Sequence, residues 1–200
     1  MSDLFRTIQS PSEGIYKEKG SKFLAFAYSV STEEVIKERI ALLHKQYHDA
    51  RHHCFAWRLG ANKEHFRVND DGEPSGSAGK PIFGQIQSHD LTNILIVVVR
   101  YFGGTLLGVG GLIRAYRSAA SEVLQQARII ELKVRKKVRL EFDYEQMNSV
   151  MKVLKDMDLE FEDQKFDLTC TLTLKVWKRR MDKLLSHLSI IEGCVTTMMD

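Results

Sequence analysis

Asn93-Ile94-Leu95-Ile96-Val97-Val98-Val99-Arg100, followed at once by Tyr101-Phe102-Gly103-Gly104-Thr105-Leu106-Leu107-Gly108-Val109-Gly110-Gly111, is the stretch that decides the fold. Its first half is a β-branched run without polar alternation, which predicts a central strand buried on both faces. Its second half holds five glycines in the twelve residues 100–111 and predicts a loop, because so many glycines weaken both regular structures. Beyond it Leu112, Tyr116, Ala119, Ala120, Val123, Leu124 and Ala127 recur at helical spacing, the core stripe of a long helix. The unpaired N–H groups that open such a helix favour an anion by roughly 0.3–1 kcal/mol. Arg114 and Arg117, with Ser121, fall on the face opposite the apolar stripe and add positive charge near the helix start. The same glycines would also permit a tight strand-to-helix crossing with no ligand, and the residues leave both readings open.

Working outward, residues 14–19 and 22–30 have strand character and meet at Gly20-Ser21, an opening hairpin. Ser31 and Glu34 make a capping box, and Ile36, Ile40, Leu43 and Tyr47 follow as one amphipathic helix. Residues 51–59 and 64–68 read as a second strand pair. Residues 69–81 carry three glycines and two prolines and predict a long loop, with a short helix beginning at Pro81. After Arg128 the order becomes strand 134–142, helix 146–157, strand 159–165, strand 167–177, helix 179–188 and strand 193–198. This βαββαβ pattern has Val150 and Leu154 on one helix and Leu184 and Leu188 on the other, so both helices belong on the same side of a four-stranded sheet. Val138, Leu140, Phe142, Leu168, Cys170 and Leu172 are assigned to the sheet's buried face. The opposite face carries Arg135, Lys137, Arg139 and Lys175 with Trp177, a pattern suited either to solvent or to a nucleic-acid backbone with the indole free for stacking. The expected architecture is α+β in two domains, residues 1–130 and 131–200.

A net charge of +3 gives no long-range field that would announce nucleic acid, so any such binding has to rest on local patches. The apolar run at residues 94–99 is far too short to cross a bilayer, and the first residues lack a signal core. Cys54, Cys170 and Cys194 are an odd, widely spaced set that suits reduced thiols, so the expected compartment is cytoplasmic. Named chemistries fit poorly. Gly108-Val109-Gly110 needs glycine or alanine where Ile113 stands for a dinucleotide fingerprint, and Gly79-Lys80 is followed by Pro81 where a phosphate-binding loop needs Ser or Thr. Ser75 and Ser77 form no nucleophile elbow, and the aromatic patterns of an RNA-recognition motif are absent. Arg51-His52-His53-Cys54, with Asp70, Asp71 and Glu73, invites metal or thiol chemistry. The ligand count stops short of a zinc site, and acids in a turn commonly bond nearby backbone N–H groups. No catalytic residue, metal or cofactor is assigned from these patterns.

Three segments together carry a family resemblance: Ala50-Arg51-His52-His53-Cys54 with Ala56-Trp57, the run Asp70-Asp71-Gly72-Glu73-Pro74-Ser75-Gly76-Ser77-Ala78-Gly79-Lys80-Pro81, and residues 97–116. Their order and spacing resemble the bacterial, YigZ-like branch of the IMPACT family. The resemblance implies a first domain like one in a small-subunit ribosomal protein and in domain IV of elongation factor G, followed by a ferredoxin-like domain. It implies a link to translation and no established catalytic residue. The surface it transfers is Arg51, His52 and His53; Asp70, Asp71, Gly72, Glu73 and Lys80; and Arg100, Gly103, Gly104, Gly108, Gly110 and Gly111. The expected function is a non-enzymatic regulator of translation or stress response binding RNA, the ribosome or a translation-related protein. The competing expectation is a phosphate-ligand or metal-dependent enzyme in which His53, Asp71 and Glu73 meet.

Overall fold

The computed structural model describes residues 3–167 and 169–199. The chain divides into two compact units, Leu4–Leu132 and residues 133–199 with residue 3. It is a mixed α/β protein of two units, and none of its described helices is long and apolar enough to cross a membrane.

In the larger unit the run of β-branched residues becomes β6 (Ile94–Tyr101), the middle strand of an antiparallel sheet. The sheet is ordered β2 (Ser12–Glu18), β3 (Ser21–Ser29), β6, β4 (His52–Leu59) and β5 (His65–Asn69). Helix α1 (Glu33–Gln46) covers one face, where Phe26, Trp57, Leu95, Val97 and Val99 are buried. Helices α2 (Gly79–Ser88) and α3 (Gly108–Gln126) cover the other, over Phe23, Cys54, Ile94, Ile96 and Val98. Every position of β6 from Ile94 to Arg100 is therefore buried, which is why the run lacks the alternation of a half-solvated strand. Alanines at 25, 27 and 56 on the sheet, and at 115, 119 and 120 on α3, keep the two layers close.

Four features differ from the sequence expectation. The α1 cap is Thr32, whose hydroxyl accepts from Val35 N at 3.4 Å, one residue after the expected Ser31. Helix α2 begins at Gly79, before Pro81. Helix α3 begins at Gly108, so Gly108, Gly110 and Gly111 belong to its first turn and the true loop ends at Leu107. A short two-stranded sheet, β1 (Leu4–Ile8) with β7 (Ile129–Lys133), was not expected.

In the smaller unit, β8 (Arg135–Asp143), α4 (Met147–Asp156), β9 (Phe161–Lys165), β10 (Thr169–Trp177), α5 (Lys178–Leu188) and β11 (Val195–Met199) follow the βαββαβ order. The strands lie in the order β11-β8-β10-β9, all pairs antiparallel. Val150 and Leu154 from α4, and Met181, Leu184 and Leu188 from α5, share one core with Val138, Leu140, Phe142, Cys170 and Leu172. Leu168 lies outside the described residues.

Candidate functional site

The acidic loop after β5 is built around its own carboxylates. Asp70 accepts three backbone N–H groups, from Gly76 at 2.8 Å, Ala78 at 2.9 Å and Gly79 at 2.8 Å. Burial opposes its ionisation most strongly, yet these donors, aided by Lys80, outweigh burial and hold it below the usual carboxylate range. Since Ala78 offers no side-chain cap, Asp70 serves as the acceptor at the start of α2 from eight and nine residues upstream. Asp71, at φ 39°, accepts the backbone N–H of His53 at 2.6 Å through Oδ2. Its carbonyl lies 2.8 Å from His52 Nδ1, and a carbonyl can only accept, so His52 donates from that nitrogen.

Glu73 turns the other way. Its side chain is 4% exposed and its Oε1 accepts from Arg100 at 2.6 Å and from the Tyr116 hydroxyl at 2.8 Å. Cys54 Sγ sits 3.3 Å from that hydroxyl and 3.0 Å from the Asp70 carbonyl. Burial pushes the Cys54 thiol and the Tyr116 phenol well above their ordinary values, so neither ionises near neutral pH. His53 is lowered from its ordinary value, first by burial and then by His44, with Asp71 opposing.

These contacts correct two expectations. His53, Asp71 and Glu73 do not all meet: His53 lies 4.0 Å from Asp71 and packs toward α1, against His44, while Glu73 bonds Tyr116 of α3 across the sheet. Arg100 is not a surface cation but the buried partner of Glu73. The other residues of the transferred surface divide by exposure. Arg51 and Lys80 are exposed, and Gly72, at φ 83°, lies against the His52 ring; Arg114 and Arg117, assigned from their helix face rather than from the resemblance, are exposed as well.

The glycine loop separates by cause. Gly103 is where the β2–β3 turn crosses the loop; a Cβ there would collide with the backbone of Gly20 and Ser21, and Gly103 N–H donates to Ser21 Oγ at 3.1 Å. Gly104 and Gly108 hold positive φ, with open space where a Cβ would stand, and Gly110 meets only the flexible end of Arg114. The start of α3 thus lies open to solvent, with no side-chain cap on its N–H groups. Gly103→Ala is expected to destabilise by about 1–3 kcal/mol through overpacking. Gly110→Ala, at ordinary helical φ, is expected to stabilise by up to about 1 kcal/mol. Urea unfolding of both variants checks the contrast; equal effects would show that close approach does not set Gly103.

Sequence reasoning missed the apolar residues of this loop. Phe102 is 56% exposed, Leu106 84% and Val109 52%. Phe102 forms a ridge between two grooves. One is walled by Asp49, Arg51, His52, Arg100, Tyr101 and Leu106, the other by Ile15, Lys17, Lys22 and Leu24. A large apolar residue placed among glycines, where no core stripe accounts for it, was the available signal.

In the smaller unit the open sheet face is less basic than its spacing suggested. Glu162 pairs with both Lys137 and Lys175, and Glu141 lies 3.0 Å from Arg139. Trp177 is not free for stacking: Lys133 Nζ stands 3.5 Å from its ring centroid, with Arg179 and Arg180 further out. Arg135 remains exposed.

Fold and surface together define a two-unit α/β protein in which Asp70 and Glu73 of the acidic loop are held inward and the glycine-rich start of α3 lies open. The Impact N-terminal domain family matches residues 19–124, and the chain belongs to the IMPACT family. It is similar to the IMPACT family member YvyE of Bacillus subtilis (strain 168), 36% identical over 150 residues that cover 75% of this chain and 69% of that one. The similarity to the IMPACT family member YigZ of Escherichia coli (strain K12) is 33% identity over 151 residues, 74% of each chain. A solved structure described as that of a hypothetical protein is 25% identical, covers 100% of this chain and 99% of its own, and has a TM-score of 0.79.

Proposed function

We propose that this protein is a non-catalytic regulator of translation or stress response that binds RNA, in the ribosome or associated with it, through the Phe102 ridge and the start of α3. One observation carries the reading: an exposed aromatic stands between two grooves that contain Arg51 on one side and Lys17 and Lys22 on the other, beside uncapped helix N–H groups. An aromatic face stacks on an unpaired base, while cations and N–H groups take the phosphates. Glu73 is neutralised by Arg100 and Asp70 is held by backbone N–H groups, which lowers the charge opposing a polyanion. Asp49, exposed in the wall of the Arg51 groove, opposes it and is set against Arg51, Lys17 and Lys22. The fold likeness extends the reading. The larger unit is taken as similar to domain IV of elongation factor G. The smaller is taken as ferredoxin-like, its sheet placing the fourth, first, third and second strands of the βαββαβ order side by side. A cytoplasmic location with reduced thiols goes with it, Cys54, Cys170 and Cys194 being free.

The test is a salt titration of binding to ribosomal particles and to single-stranded RNA. Arg51→Ala with Arg114→Ala is expected to weaken binding and to flatten the slope of log K against log salt by about 0.7 for each phosphate of a single strand that is no longer neutralised. Phe102→Ala is expected to weaken it by about 1–3 kcal/mol with the slope unchanged. Binding that is unaffected by all three substitutions would refute the surface.

A further inference from the structure

The last turn of α1 brings to the sheet a residue that the motif Arg51-His52-His53-Cys54 lacked. His44, exposed, stacks its ring 3.9 Å from that of buried His53, centroid to centroid, with 31° between the planes. Asp71 Oδ2 is 4.0 Å from His53 Nδ1. One ligand atom from each of the three lies within 4.8 Å of the other two. We propose that His44, His53 and Asp71 form a binding site for a divalent transition-metal cation, with Zn2+ the best-matched ion.

Two imidazoles and a carboxylate are a borderline donor set, suited to zinc and poorly suited to magnesium or calcium, which prefer all-oxygen shells. Three protein ligands, of which His44 is exposed and Asp71 partly exposed, leave a fourth tetrahedral position for water. Asp71 is already oriented from behind, as metal ligands commonly are. Asp71 Oδ2 accepts the His53 backbone N–H at 2.6 Å, the Asp71 N–H donates to Asn69 Oδ1 at 2.6 Å, and His52 holds the Asp71 carbonyl. His53 Nε2 is buried and makes no hydrogen bond of good geometry among the described residues, the Leu43 and Tyr47 carbonyls at the end of α1 interacting with the ring only weakly. Stacked rings aim their lone pairs side by side, so a shared ion requires His44 to turn about its side-chain torsions, and its exposure leaves room for that. A bound cation would tie the end of α1 to β4 and the acidic loop. The site lies on the α1 face of the sheet and does not depend on the RNA reading.

The experiment is equilibrium dialysis of chelator-stripped protein against Zn2+ in excess Mg2+, with bound metal counted by mass spectrometry and folding followed by circular dichroism. One zinc per chain is expected. His44→Ala, which removes an exposed side chain, is expected to weaken binding about tenfold or more. Asp71→Asn is expected to do the same, since asparagine tolerates the positive φ and still accepts the His53 N–H. His48→Ala, in the turn just past α1 and outside the cluster, is expected to bind as the parent does. Absence of saturable zinc binding, or binding equal in the parent, His44→Ala and Asp71→Asn, overturns the proposal.

Discussion

Arg100→Met is expected to lower the stability of the larger unit by about 3–5 kcal/mol, the cost of breaking a buried ion pair by removing one partner. The side chains of Arg100 and Glu73 are 8% and 4% exposed, so the carboxylate left behind keeps the Tyr116 hydroxyl but loses its counter-charge, and water has little access to it. Pairs of this kind contribute little compared with apolar residues of the same volume, because desolvation offsets the attraction. Adding Glu73→Leu and Tyr116→Phe to Arg100→Met is therefore expected to recover most of the loss, by removing the stranded polar groups together. Urea unfolding checks this through the midpoint at unchanged slope. If Arg100→Met alone unfolds at the parent's midpoint, the pair does not hold the loop to the sheet. The result also bears on function: an arginine in the middle of the family-like surface is a poor probe of RNA binding, since its removal perturbs the fold first.

The legible and illegible parts of this protein separate by how far the deciding contact lies along the chain. The β6 run, the apolar stripe of α3 and the alternation along β8 and β10 are local patterns with a period of their own, and each became the expected element. The β1–β7 pair was hidden because its strands are five residues each and lie at opposite ends of the larger unit. At the candidate site, sequence placed Asp70, Asp71 and Glu73 in one loop but could not assign their partners. Asp70 turns to the start of α2, Asp71 to β4, and Glu73 to Arg100 and Tyr116, 27 and 43 residues away. His44 was overlooked for a similar reason. It follows Ile40 by four residues, on the flank of the apolar stripe, and only β4 packing beneath α1 brings His53 against it. Phe102 belongs to no periodic stripe, and only the folded chain, which leaves it 56% exposed, makes it a surface residue.

Asp70→Ala is expected to cost about 3 kcal/mol or more, since hydrogen bonds to a charged acceptor contribute about 1.5–3 kcal/mol each and this side chain accepts three. Two of its donors, Ala78 and Gly79, are buried, so water cannot readily replace the lost acceptor. Asp70→Asn should fall between parent and alanine: its one carbonyl oxygen can still accept, but its amide faces donors where the carboxylate offered a second oxygen. Amide hydrogen exchange at Gly76, Ala78 and Gly79 reads the effect where it arises, with faster exchange at all three in Asp70→Ala; protection unchanged from the parent would sink the idea. The consequence reaches the proposed RNA surface through charge. With its acceptor gone, the loop no longer holds Glu73 against Arg100 as firmly, and a carboxylate now directed inward becomes able to face solvent. Weaker RNA binding is therefore expected from a variant that has itself lost a negative charge, the opposite of what the change in net charge alone would produce.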